Sequence, residues 1–93
     1  MKATRLLHER RVVAEDAFAE LVVWQVPSPL PGSAHWFKYR LAFVVDGVCV
    51  LRYDNEAGKG DHIHRGEVQS PYSFSTPARL LADFWNDVSR WRP

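Results

Sequence analysis

The dipeptide Asp46-Gly47 constrains the fold of this chain more than any other feature. It separates two β-type runs, residues 39–45 and 48–53, which are rich in Val, Leu, Phe and Tyr. Asp-Gly between apolar runs favours a type I′ turn, because both central residues of that turn need positive φ. The sequence therefore predicts an antiparallel hairpin over these residues.

A two-residue turn also predicts the register of the hairpin. Counting outward from Val45 opposite Val48 places Arg40 opposite Tyr53. Side chains alternate between faces, so Arg40 and Tyr53 are expected on one face and Asp54 on the other. Both faces are apolar near the turn and polar at the far end. Polar groups are therefore expected to converge at the end of the hairpin away from the turn.

The flanking segments predict a second hairpin and a helix. Residues 10–13 and 18–26 resemble two strands around Glu15-Asp16, although an amphipathic helix over residues 14–21 is an alternative. Pro and Gly concentrate in residues 27–32 and 58–66, which we interpret as loops. Thr76 suits a helix N-cap and Pro77 the first helical position. The helix is predicted to run to about Trp91 because apolar residues follow at helical spacing. They are Leu80, Leu81, Phe84, Trp85, Val88 and Trp91.

These elements predict an α+β fold. We expect one domain over residues 1–93, an antiparallel β-meander of about four to five strands with the C-terminal helix packed on the sheet. The chain is 46% hydrophobic, enough for a core at this length. Its one cysteine, Cys49, lies in an apolar run, so we expect a small buried side chain.

Charge and hydropathy exclude several protein classes. The net charge of +1 does not fit a protein that coats duplex DNA. No apolar run approaches the ~20 residues of a membrane span, and residues 1–11 lack the apolar centre of a secretory signal. We therefore expect a cytoplasmic protein without membrane contact.

The segment 52–64 carries the residues most suited to chemistry. It contains two of the four histidines, three acids and two basic residues. If His62-Ile63-His64 forms a strand, both imidazoles project from one face and Ile63 points to the core. Two such imidazoles can act as general base and general acid near neutral pH. Basic side chains nearby, Lys59, Arg40 and Arg52, could stabilise charge at a phosphorus centre.

These residues fit a metal-independent ribonuclease in which Lys59, His62 and His64 are central. Four further residues are expected to support them: Tyr53, Asp54, Asp61 and Arg40. Two alternatives stay open. The His-x-His pair with Asp61 or Asp54 could ligate zinc or manganese, although the nearby cations oppose this. The segment could instead be a polar hairpin loop that binds a protein partner. We expect neither a bound metal nor a cofactor.

Tyr53-Asp54-Asn55, followed by the string from Gly58 to His64, resembles the signature of TumE-family toxins of bacterial toxin–antitoxin modules. The resemblance extends over most of the chain, although the family often has Arg where this chain has Ile63. It implies a growth-inhibiting toxin whose partner is a cognate antitoxin protein, commonly one with a helix-turn-helix domain. RNA is the expected substrate, and a homodimer is a further possible assembly.

Overall fold

The computed structural model describes residues 2–92 and confirms the α+β class. Six antiparallel strands form one sheet in chain order, and a single helix follows them. The elements are β1 (Thr4–Ala14), β2 (Ala17–Gln25), β3 (Phe37–Val45), β4 (Val48–Glu56), β5 (Gly60–Arg65), β6 (Val68–Pro71) and α1 (Pro77–Arg90). The sheet has more strands than the four to five predicted, because most of the supposed loop at residues 58–66 is β5.

Both predicted hairpins are present. Strands β1 and β2 pair around Glu15-Asp16, so the helical alternative for residues 14–21 is wrong. At the second turn Asp46 has φ 50° and Gly47 has φ 76°. Positive φ at both central positions is the type I′ geometry, which matches the right-handed twist of the paired strands.

The predicted register of β3 with β4 holds only next to the turn. Val45 pairs with Val48, but a β-bulge then leaves Val50 without a partner in the ladder. Beyond the bulge Arg40 pairs with Asp54, not with Tyr53. A bulge adds one residue to one strand and so exchanges the faces of everything that follows it. The predicted face assignments for the far half of β4 are therefore wrong.

Beyond the bulge, the apolar side chains of β4 lie on one face of the sheet and its charged side chains lie on the other. The helix-side face, which α1 covers, holds buried residues from four strands; they are Ala19, Leu21, Leu41, Tyr53 and Ile63. The opposite face, called the open face below, carries polar residues at the β3–β5 end. They are Arg40, Arg52, Asp54, His62 and His64.

Helix α1 closes the core from one side. The side chain of Thr76 accepts a hydrogen bond from the backbone N–H of Arg79 at 3.1 Å, which confirms the predicted N-cap. Three apolar side chains of α1, Leu80, Phe84 and Val88, are buried. Within residues 2–92, no helix is long and apolar enough to cross a membrane.

Cys49 departs from its predicted environment. Its thiol is free and exposed instead of buried. Cys49 pairs with Val44 next to the turn, on the open face, where residues 2–92 form no second layer over the sheet. An apolar run on a one-sided sheet therefore does not ensure burial.

Candidate active site on the open face

A polar cleft lies on the open face at the β4–β5 hairpin. Its volume is about 100 Å³, and its lining residues are Arg52, Asp54, Glu56, Lys59, His62, His64 and Gln69. The strand register builds it, because Arg52 pairs with His64 and Asp54 with His62. Residues in register have neighbouring side chains on the same face. The cleft thus contains Lys59, Asp54 and both histidines of the predicted set.

Asp54 is the most enclosed charged group of the cleft. It is only 7% exposed, and its two carboxylate oxygens have different partners. The Nε of Arg52 donates to Oδ2 at 2.9 Å, while Nε2 of His64 lies 3.3 Å from Oδ1. A carboxylate accepts and cannot donate, so this contact favours a proton on Nε2 of His64. The contact with Asp54 does not involve the other ring nitrogen, Nδ1.

His62 is oriented by the backbone and not by a carboxylate. Its Nδ1 lies 3.2 Å from the carbonyl oxygen of Gly60. A carbonyl only accepts hydrogen bonds, so Nδ1 carries the proton and Nε2 of the neutral ring keeps its lone pair. The two imidazole rings have centroids 6.5 Å apart and planes inclined by 51°. One face therefore presents two imidazoles with different partners.

Lys59 is at the outer rim of the cleft. Its Nζ lies 3.2 Å from Oε2 of Glu56, and both side chains are more than half exposed. The hydrogen bond and the charge of Lys59 lower the pKa of Glu56. Exposed pairs of this kind contribute little to stability. Lys59 can therefore leave Glu56 for an anionic ligand at small cost.

The β2–β3 loop fixes the backbone of this hairpin. The carbonyl of Pro31 accepts from the N–H of Gly58 at 2.6 Å. Gly32 has φ 91°, and a Cβ at this position would be 2.8 Å from the backbone nitrogen of Gly60. Only glycine permits so close an approach in this conformation. The loop thus holds Gly60, whose carbonyl orients His62.

Asp61 fixes the same loop from the helix-side face. It accepts hydrogen bonds from Ser33 Oγ at 2.7 Å and from the Tyr39 hydroxyl at 2.6 Å. Its third partner is Nε2 of His35 at 2.6 Å. Burial, followed by the bond to Asp61, raises the pKa of Tyr39. This network gives His35 a structural contact that the sequence did not indicate.

Tyr53 also lies away from the cleft. Its hydroxyl donates to a carboxylate oxygen of Asp87 on α1. Burial, followed by this hydrogen bond, raises the pKa of Tyr53. The sheet separates Tyr53 and Asp61 from the histidines, because residues alternate along β4 and β5. Arg40 is on the open face as the partner of Asp54, one strand from the cleft.

The donor geometry does not favour a metal site. Among residues 2–92, no three His, Cys, Asp or Glu side chains are grouped so that they could hold a metal ion. Asp61, one of the two acids considered as a ligand, is on the opposite face from His62. The other, Asp54, is already bonded to Arg52 and His64.

Comparison with known proteins gives one match. A family model described as Toxin TumE matches residues 2–92. Neither the curated proteins nor the solved structures searched gave a match.

Proposed function

Because this chain belongs to the Toxin TumE family, we propose that it is the toxin of a type II toxin–antitoxin module and cleaves RNA without a metal ion. The observation that carries the proposal is the pair of imidazoles on one face, each held by a different partner. Cleavage of RNA by its own 2′-hydroxyl needs one group to remove a proton and another to supply one.

His62 is the proposed general base. The Gly60 carbonyl holds its Nδ1–H, which leaves the lone pair on Nε2 to accept the 2′-hydroxyl proton. The 2′-oxygen then attacks the adjacent phosphorus, and the bond from phosphorus to the 5′-oxygen breaks. The products are a 2′,3′-cyclic phosphate and a free 5′-hydroxyl.

His64 is the proposed general acid. The carboxylate of Asp54 stabilises its imidazolium through Nε2, so Nδ1–H can donate a proton to the leaving 5′-oxygen. Asp54 is a positioning residue here and does not contact RNA. After one turnover His62 has gained a proton and His64 has lost one, and exchange with water restores both rings.

Two cations are placed to stabilise the phosphate. Arg52 uses Nε for Asp54, and its terminal guanidinium nitrogens remain to donate to phosphate oxygens. Lys59 is exposed at the rim and loosely paired. Both would act most strongly on the extra negative charge of the transition state.

Lys59→Ala is expected to lower the cleavage rate about 10²–10³-fold, the effect of losing one donor to a developing oxyanion. The measurement is the initial rate on single-stranded RNA in the presence of a chelator. Lys2→Ala removes the same charge at an exposed position outside the cleft and should keep the wild-type rate. Equal rates for both variants would remove Lys59 from the mechanism.

The proposal includes a cognate antitoxin that keeps the chain inactive in the resting cell. Expression of the chain alone should fragment cellular RNA and stop growth. Co-expression with the neighbouring gene should prevent both effects. Intact RNA in arrested cells would contradict the ribonuclease assignment and favour a protein-binding function for the cleft.

A further inference from the structure

Two cations of the open face are free to bind an external anion. On β3, Lys38 and Arg40 are exposed, and neither forms an ion pair within residues 2–92. On the other side of the sheet, Arg65 is paired with Asp87, and Arg79 is paired with an acid of its own helix. Lys38 and Arg40 therefore offer two neighbouring unpaired cations on one face.

Charge is also divided unevenly between the two sides. The open face and its cleft carry six Lys or Arg against three Asp or Glu, whereas the remaining residues carry six against eight. The small net charge of the chain thus conceals a basic surface. Its cations are Arg5, Arg10, Lys38, Arg40, Arg52 and Lys59.

Two tryptophans lie beside these cations. Trp24 pairs with Lys38 across β2 and β3, so both share the open face. Trp36 directly precedes β3 and is 49% exposed. Its carbonyl accepts from Val26 N at 2.9 Å, so the pairing of β2 with β3 continues to Trp36, and strand alternation would put its ring on the face of Lys38. Trp24 is partly exposed, and the Arg5 guanidinium lies 5.9 Å from its ring centroid. Indole rings that are at least partly exposed beside cations suit the stacking of unpaired bases.

This surface runs directly into the cleft. Arg40 pairs with Asp54, and Asp54 pairs with His62, so β3, β4 and β5 present adjacent side chains. The step from β2 to β5 spans three strand spacings, about 14 Å. An extended strand of a few nucleotides can cover that distance.

We propose that the open face over β2 and β3 binds single-stranded RNA next to the scissile phosphate. Lys38 and Arg40 would contact phosphates, while Trp24 and Trp36 would stack on bases. A single strand is favoured over a duplex because paired bases do not offer their faces for stacking. The inference rests on the proposed function for its substrate, but binding can be measured apart from cleavage.

The test uses the full chain with His62→Ala and His64→Ala, so that the RNA stays intact during titration. Fluorescence anisotropy of a labelled single-stranded RNA gives the affinity at several salt concentrations. Adding Lys38→Ala and Arg40→Ala should weaken binding and reduce the slope of log K against log salt by about 1.4, because each phosphate contact contributes about 0.7. Circular dichroism checks that the variants are folded.

The matched control removes two cations elsewhere. Arg79→Ala with Arg90→Ala, both on exposed positions of α1, should leave affinity and slope unchanged. Trp36→Ala should weaken binding about 5- to 150-fold, the range for one lost base stack. Duplex RNA should bind more weakly than single-stranded RNA.

Several outcomes would overturn the inference. An unchanged slope in the Lys38 and Arg40 variant, or equal binding of duplex RNA, would do so. If the chain cleaves RNA but its binding does not respond to these substitutions, the proposed function stands and the RNA-binding surface is wrong. If binding responds as expected but the wild type cleaves no RNA, the RNA-binding surface stands and the ribonuclease assignment is wrong.

Discussion

Replacing either histidine of the cleft is expected to lower RNA cleavage by about 10²–10⁴-fold, the usual contribution of one general acid or base. His62→Ala removes the proposed acceptor of the 2′-hydroxyl proton, and His64→Ala removes the proposed donor to the 5′-oxygen. The fold should survive both changes, because each side chain is partly exposed on the open face. Initial rates on single-stranded RNA in chelator provide the measurement.

His8→Ala is the matched control for this experiment. His8 is an exposed histidine on β1, where it pairs with Val22 outside the cleft. Its side chain contacts Arg5 on the open face, so the rate is compared at saturating RNA, where the loss of His8 should leave it unchanged. If the wild type and the two cleft variants are equally active, or all inert, the imidazoles do not transfer protons in RNA cleavage. The cleft would then fit a protein-binding module better.

Asp61→Ala is expected to lower the free energy of unfolding by about 3–5 kcal/mol, the cost of removing one partner from a buried charged network. The Asp61 side chain is only 8% exposed. Its removal leaves Ser33, His35 and Tyr39 without their acceptor. Urea unfolding monitored by tryptophan fluorescence gives the value. The β2–β3 loop should loosen as well, since these residues hold it against β5.

Glu67→Ala is the control, because Glu67 is an exposed acid in the β5–β6 turn and its loss should change stability by no more than about 0.5 kcal/mol. The comparison also separates two roles for Asp61. A variant with unchanged stability but greatly reduced cleavage would place Asp61 in the chemistry and contradict its assignment to the loop network.

The features that the sequence predicted well depend on local signals. Asp46-Gly47 forms the turn because both residues adopt positive φ angles. Thr76-Pro77 begins the helix because the Thr76 side chain caps it and the Pro77 ring fits its first position. The placement of both histidines on one face follows from strand alternation alone. Ile63 between them is 7% exposed, as its predicted core position requires.

The features that could not be predicted from the sequence depend on contacts between distant residues or on the extra residue of a β-bulge. The extra residue at Val50 has no local signature, since Val suits a regular strand equally well. His35 contacts Asp61, which is 26 positions away in the sequence, and no local pattern around either residue predicts this contact. Strand β6, with Gln69 at the cleft, did have a local signal. Arg65 and Val68 flank the two-residue turn Gly66-Glu67, a Gly-x pattern that favours a hairpin.

The bulge at Val50 allows the cleft to tolerate a change in the length of β4. In-frame loss of this one codon would restore regular alternation along β4. The paired residues would keep their faces, Arg52 and Asp54 on the open face and Tyr53 on the helix-side face, because Val50 is the residue without a partner. A chain with that deletion would still contain every candidate residue in the original order. In natural variants of this protein, one residue fewer between the turn and the cleft is therefore compatible with an intact site, whereas one residue more would need a second bulge to keep the faces.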